Sequence, residues 1–162
     1  MLAKESEVLK TIELKAITKA DEAFLYEVYR STKKQEVDLW GWSVEQTQTF
    51  LMMQWRAQRA SYNRQFPTAN HYMIVVDQQC VGRLLIEELP DYHHLIDISI
   101  LPTYQRKGLA TSIIVELLQK AREGNKAVLL RVFHTNPARH LYERLGFQVV
   151  SGDELYLTMR WQ

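Results

Sequence analysis

The sequence predicts a mixed α/β domain, one sheet with helices laid on its faces. Three observations predict it. Short apolar, β-branched runs recur through the second half, at residues 81–87, 95–101 and 127–133. Between two of them, residues 108–123 repeat apolar side chains at helical spacing, with Leu109, Ile113 and Leu117 beside Ala110, Ile114, Leu118 and Ala121. The 162 residues, 46% of them hydrophobic, suffice for one domain over residues 1–162 with a real core.

Taken in order, residues 12–17 form a first strand. Thr18 and Asp21 supply polar starts for a helix carrying Ala23, Phe24, Tyr26, Val28 and Tyr29. Ser43 with Gln46 spells a capping box, in which the serine accepts from a first-turn amide while the glutamine reaches back. The helix it opens runs through Phe50, Leu51 and Trp55 toward Tyr62 and stops before Pro67. Residues 72–76 and 81–87 read as an antiparallel pair about the polar turn Asp77-Gln78-Gln79. Residues 95–101 alternate in part, as a strand with one deeply buried face does, and Pro102 ends them. Gly124 is placed to close the helix of residues 108–123. Residues 127–133 are nearly continuously apolar, as a central strand covered on both faces would be. Asn136 followed by Pro137 starts a short helix, with a capping side chain and then proline at the first helical position, and that helix closes at Gly146. Residues 147–150 and 155–161 flank the turn Ser151-Gly152-Asp153 as a last hairpin.

Twenty Lys and Arg balance nineteen Asp and Glu, a formal charge of +1, so no broad field favours nucleic acid or an anionic membrane as partner. The single cysteine, Cys80, excludes an intrachain disulfide and a cysteine-built zinc site, and suits a reducing, cytoplasmic setting. Residues 1–10 carry no apolar leader core, and no stretch approaches the ~20 apolar residues of a membrane span. Adjacent His93 and His94 point oppositely on an extended chain, and no cysteine or carboxylate set completes a site with them. A loop or strand-entry pair is expected there, and no metal.

The informative stretch is Pro102-Thr103-Tyr104-Gln105-Arg106-Lys107-Gly108-Leu109-Ala110, which joins a strand to the strongest amphipathic helix. Amides that open a helix have no acceptor within it and point outward together, which suits a phosphate or diphosphate. Gly108 permits a tight backbone, Ala110 removes bulk, and Arg106 and Lys107 add positive charge. The spacing is neither that of a P-loop nor that of the GxGxxG fingerprint.

Gln105-x-x-Gly108-x-Ala110, following Pro102, resembles the acetyl-CoA signature of the GNAT superfamily of N-acetyltransferases. A second segment, from Asn136 through Ala138, Leu141 and Tyr142 to Gly146 and Phe147, is similar to that family's N-x-x-A-x-x-L-Y-x-x-x-G-F motif. It departs in one respect: Asn136 stands six residues before Tyr142 where the common pattern has seven, and the seventh position is Thr135.

The resemblance implies a mostly antiparallel central sheet with helices on both faces, in which two neighbouring parallel strands splay apart at a cofactor cleft. It implies acetyl-CoA as co-substrate, its diphosphate on the loop and helix start formed by Gln105, Arg106, Lys107, Gly108, Leu109, Ala110 and Thr111. The pantetheine arm would pair like an added strand with Ile100 and Leu101, where a strand amide polarises the thioester carbonyl. Asn136 either contacts the cofactor or caps its helix. Tyr142 is implied as the general acid, its hydroxyl at the sulfur; the other reading is a core aromatic beside Leu141 and Leu145.

Acetylation of an amine also requires that its ammonium, with a pKa near ~10.4 for a lysine type, lose a proton. Asp97 stands in an apolar strand, where a carboxylate needs a partner or a purpose. Glu87 and Glu88 end the preceding strand and are either cleft carboxylates or exposed loop charges. Asp97 and Glu87 are therefore the candidate bases. A covalent route through Cys80 is disfavoured, since that residue is far from the loop in sequence and has no evident activating neighbour.

The function implied is direct transfer of acetyl from acetyl-CoA to a primary amine of a small molecule or peptide, by a monomer or homodimer. A non-catalytic CoA-binding sensor of the same fold is the alternative. In the first half, Trp40, Trp42, Trp55, Tyr26, Tyr29 and Tyr62 read mostly as core, with an acceptor pocket as the reading the family suggests. Gln46, Gln48, Gln54, Arg56, Gln58 and Arg59 read as a solvated helical face.

Overall fold

The computed structural model describes residues 11–162, so the expectation for residues 1–10 lies outside the described residues. Its strands are β1 (Ile12–Ala16), β2 (Asn70–Val76), β3 (Gln79–Glu88), β4 (Tyr92–Ile100), β5 (Ala127–Phe133), β6 (Gln148–Gly152) and β7 (Tyr156–Trp161). Its helices are α1 (Glu22–Asp38), α2 (Val44–Gln65), α3 (Leu109–Glu123) and α4 (Ala138–Arg144). The strands form one sheet in the order β1-β2-β3-β4-β5-β7-β6, mostly antiparallel, with β4 and β5 as the parallel pair. The chain divides into two compact units: residues up to Leu84 with Ile98–Gln105, and Leu85–Asp97 with Arg106–Gln162.

In the first unit, β1 pairs antiparallel with β2 from Ile12 opposite Val76 to Ala16 opposite Tyr72. The capping box at α2 forms as its residues predict, Gln46 N–H donating to Ser43 Oγ at 3.1 Å and Ser43 N–H to Gln46 Oε1 at 3.0 Å. Helices α1 and α2 bury Leu25, Tyr29, Val37, Leu51 and Trp55 as one cluster. Each such side chain contributes about 1.5–3 kcal/mol by leaving water.

Two expectations change here. Trp40 and Trp42 are each 43% exposed, packed edge-on against one another and against Phe50 between α1 and α2 rather than in the core. Gln58 and Arg59 are half-buried rather than fully solvated, because they follow Trp55 at the edge of the inward stripe of α2; Gln58 reaches buried Arg83, and Arg59 the exposed carboxylate of Glu22. Gln58 Oε1 accepts from Arg83 Nη2 at 2.7 Å, and Arg59 Nη2 donates to Glu22 Oε2 at 2.8 Å. Both arginines lie over the Trp55 ring, Arg59 at 5.5 Å and Arg83 at 5.1 Å.

The β2–β3 turn narrows to Asp77 and Gln78, both left-handed with φ of 49° and 66°, the geometry of a two-residue hairpin loop. On β3, Gly82 meets the end of β4 so closely that a Cβ there would stand 2.2 Å from the Ser99 carbonyl oxygen.

In the second unit, β4 begins at Tyr92, three residues earlier than the apolar alternation suggests. The reason is a tight hairpin, in which Leu89 N–H donates to the Tyr92 carbonyl at 2.9 Å and draws both histidines into the strand. Helix α3 buries Ile113, Ile114, Leu117, Leu118 and Ala121, the predicted stripe, and Gly124 N–H closes on the Lys120 carbonyl at 3.1 Å. On β5, Val128, Leu130 and Val132 are buried while Arg131 and Phe133 are exposed, so this strand is not covered on both faces toward its end. β6 is the exposed edge strand, with a register shift between Val149 and Ser151. Helix α4 starts one residue late, with Pro137 as its N-cap. No described helix is long and apolar enough to cross a membrane.

Candidate active site

The loop after β4 is tied down by its own side chains. Leu101 N–H donates to the Val81 carbonyl at 2.8 Å, Gln105 Nε2 donates to the Ile100 carbonyl at 2.9 Å, and the Tyr104 hydroxyl donates to Gln79 Oε1. Gln105 thus serves the loop itself, its carboxamide holding the strand end. Arg106 and Gly108 then take left-handed conformations, with φ of 62° and 78° on either side of Lys107, and such alternation turns successive amides toward one side.

Helix α3 opens from Gly108. Its first helical bond is Ser112 N–H to the Gly108 carbonyl at 3.0 Å, and no side chain caps the end. The amides of Leu109, Ala110 and Thr111 therefore have no acceptor within the helix. A Cβ at Gly108 would meet nothing within 4 Å, so glycine is demanded by φ alone and the space before it is open. Arg106 and Lys107 are exposed beside those amides. The donor set fits a diphosphate: amide hydrogens, the positive end of a helix and two cations.

The parallel ladder of β4 and β5 runs from Tyr92 opposite Ala127 to Leu95 opposite Leu130 and stops, although β4 continues to Ile100 and β5 to Phe133. Asp97 lies just beyond the end of that ladder, half-buried. Tyr142 on α4 is 8% exposed, its ring edge-on to Phe147 at 5.8 Å. Burial, and after it the negative charge of Asp97, push the Tyr142 pKa up to about 12. The phenol is therefore fully protonated at neutral pH, within electrostatic reach of the Asp97 carboxylate.

Glu87 is a buried strand residue, 8% exposed, whereas Glu88 is exposed and paired with Lys120 at 2.8 Å. The Leu89–Tyr92 hairpin bond sets a register in which Glu87 stands opposite His94 and Glu88 opposite His93. Burial holds His94 below its usual range, the Glu87 charge opposes that, and Arg131 adds to it. His93 is 3% exposed, and its Nδ1 has no hydrogen-bond partner among the described residues. Asn136 Oδ1 accepts from Ala138 N–H at 2.9 Å, a local side-chain turn just ahead of the N-cap Pro137.

Of the candidates, Asp97 acts electrostatically on Tyr142, while Glu87 and Arg131 act in opposite senses on His94. Those last two were not singled out as site residues. Counting residues 90 and 91 as a two-residue hairpin loop is the signal that would have placed His94 opposite Glu87. Cys80 is free and half-buried on β3. Among the described residues no cluster of three or more His, Cys, Asp or Glu side chains is arranged to hold a metal.

Comparison with known proteins shows the family and the fold. The ribosomal protein bS18-alanine N-acetyltransferase of Haemophilus influenzae is 33% identical over 78 residues, 48% of this chain and 53% of that protein. The chain thus spans about half the length of that relative. An N-alpha-acetyltransferase of Saccharolobus solfataricus is 29% identical over 112 residues, covering 55% of this chain and 67% of that one. The PaiA N-acetyltransferase of Thermoplasma acidophilum, solved in complex with coenzyme A, shares the fold. Its TM-score is 0.70 at 17% identity, covering 94% of this chain and 99% of that one. Residues 24–147 match the family model described as acetyltransferase (GNAT) family, and the chain belongs to that family.

Proposed function

We propose that the chain is an acetyl-CoA-dependent N-acetyltransferase that moves the acetyl group directly to a primary amine within a ternary complex. The observation that carries this is the start of α3: an uncapped helix end behind two left-handed residues, opening onto free space. The amides of Leu109, Ala110 and Thr111 bind the diphosphate, with Arg106 and Lys107 adding charge. The family resemblance assigns the pantetheine arm to Ile100 and Leu101, where Leu101 N–H donates to the Val81 carbonyl and the Ile100 carbonyl accepts from Gln105. Bound acetyl-CoA supplies the activated thioester.

Tyr142 acts at the sulfur, and its pKa defines how. A thiol titrates near ~8.5, so handing a proton outright from a phenol at about 12 runs uphill by ~5 kcal/mol. Tyr142 therefore works chiefly as a hydrogen-bond donor to the developing thiolate. Asp97 takes the amine proton, directly or through water. The acceptor class that the relatives' names suggest is a peptide α-amine. At a pKa of ~7.7–8.0 it demands a weaker base than a lysine does.

The test is calorimetry with CoA and acetyl-CoA, followed by thiol release with peptides bearing a free α-amine. Saturation at 100 times Kd should raise stability by ~2.7 kcal/mol. Absence of binding heat rejects the proposal, and binding without turnover on any amine makes the chain a sensor instead.

A further inference from the structure

Arg131 is the first β5 residue past the end of the parallel ladder, which stops at Leu130. It lies on the face of β5 opposite buried Leu130 and Val132, shared with Phe133, and its side chain is 54% exposed. It is nevertheless held in one orientation. The guanidinium lies over the Tyr156 ring, 4.1 Å from its centroid, and Phe133 stacks on the same ring at 4.4 Å with an interplanar angle of 25°. The register of β5 and β7 enforces this, setting Phe133 opposite Tyr156 and Arg131 opposite Thr158.

The fork so held has its donors unspent. The Arg131 side chain makes no hydrogen bond among the described residues, and its ion-pair partner, Asp153, keeps Oδ2 3.6 Å from Nη2, beyond hydrogen-bond length. The other oxygen of Asp153 accepts the N–H groups of Leu155 and Tyr156 at 2.9 and 2.8 Å, closing the β6–β7 turn. The carboxylate is thus a turn-former first. A planar guanidinium fixed by stacking loses little freedom when it receives a second carboxylate.

We propose that Arg131 is the acceptor-recognition residue, its fork binding a carboxylate carried next to the amine that is acetylated. The proposal rests on the acetyltransferase reading and names its substrate class. Two sources share this chemistry: the α-carboxylate of a free amino acid, and an acidic side chain at the second residue of a peptide. The same cation opposes polyamines and basic peptides. It also lowers the proton affinity of an ammonium beside it, as it already does for His94.

The experiment measures thiol release from acetyl-CoA with paired acceptors: glutamine against glutamine amide, and Ala-Glu against Ala-Gln peptide amides, with spermidine as the cationic arm. Wild type, Arg131→Gln and Arg131→Lys are compared, with CoA affinity followed by calorimetry. At least one pair should favour the carboxylate by ~10-fold or more in kcat/KM, mainly through KM, and the pair that does so identifies the source. Arg131→Gln should level that ratio while CoA affinity holds. Arg131→Lys should keep only part of it, because an ammonium lacks the fork. Equal rates within both pairs, a ratio that survives Arg131→Gln, preference for spermidine, or no reaction of any acceptor while CoA still binds would each overturn the proposal. Wild type that binds no CoA overturns the acetyltransferase reading along with it.

Discussion

Replacing Tyr142 with phenylalanine removes one oxygen and leaves the ring against Phe147, so the fold should survive. The lost interaction is a hydrogen bond to a group that becomes charged only as the thioester breaks. Such bonds are worth about 1.5–3 kcal/mol, so kcat should fall by ~10- to 150-fold. Because the bond forms with the developing thiolate, kcat and kcat/KM should fall together, and the calorimetric Kd for CoA should stay within about twofold. The pH profile adds a second reading. A phenol held at about 12 by burial and by the Asp97 charge stays protonated across the ordinary assay range, so Tyr142 contributes no alkaline limb to the wild-type profile. Steady-state kinetics from thiol release, run from pH 6 to 10 on both proteins, would check each point. A Phe variant with the wild-type kcat refutes the role at the sulfur, and a wild-type limb near pH 10 that vanishes in the variant refutes the buried phenol.

Gly108→Val forces a β-branched residue to φ of 78°, costing about 1–2 kcal/mol, which is a melting point a few degrees lower with the fold retained. The CoA Kd should rise at least ~10-fold, since the added methyls stand where the amides of α3 face open space; an unchanged Kd would reject that placement. His93 has its pKa lowered, first by burial and then by Lys126 and Lys120 against the opposing Glu88. The unfolded chain therefore takes up that proton first on acidification, so stability should fall as pH drops below ~6.5 and level off once pH passes the folded value. Urea melts of His93→Leu should show a shallower acid decline than wild type, and identical slopes would remove His93 from the account. Asn136→Ala should cost ~1 kcal/mol by removing the acceptor of the Ala138 amide, with CoA affinity unchanged; a weakened Kd would make Asn136 a cofactor contact.

Features with local causes were readable along the chain. The Ser43–Gln46 capping box, the stripe from Ile113 to Ala121 and the closure at Gly124 each depend on residues within a turn or two of one another. Other expectations shifted because pairing with another segment decided them. His93 and His94 belong to β4 because the hairpin bond from Leu89 N–H to the Tyr92 carbonyl starts the strand before its apolar alternation does. Gln58 meets buried Arg83, and Arg59 pairs at the surface with Glu22, both partners far away in sequence. Trp40 and Trp42 stay exposed because Leu51 and Trp55 already fill the space between α1 and α2.

By itself the sequence determined the loop-to-helix corner from Gln105 to Thr111 and the family to which that corner points. A left-handed glycine, an uncapped helix start and two flanking cations are set by consecutive residues. Only the tertiary structure decided that Asp97 lies within electrostatic reach of Tyr142 and that Arg131 is held on Tyr156. Both depend on how segments far apart in the chain are brought together, and such pairing leaves no local pattern from which a partner can be read.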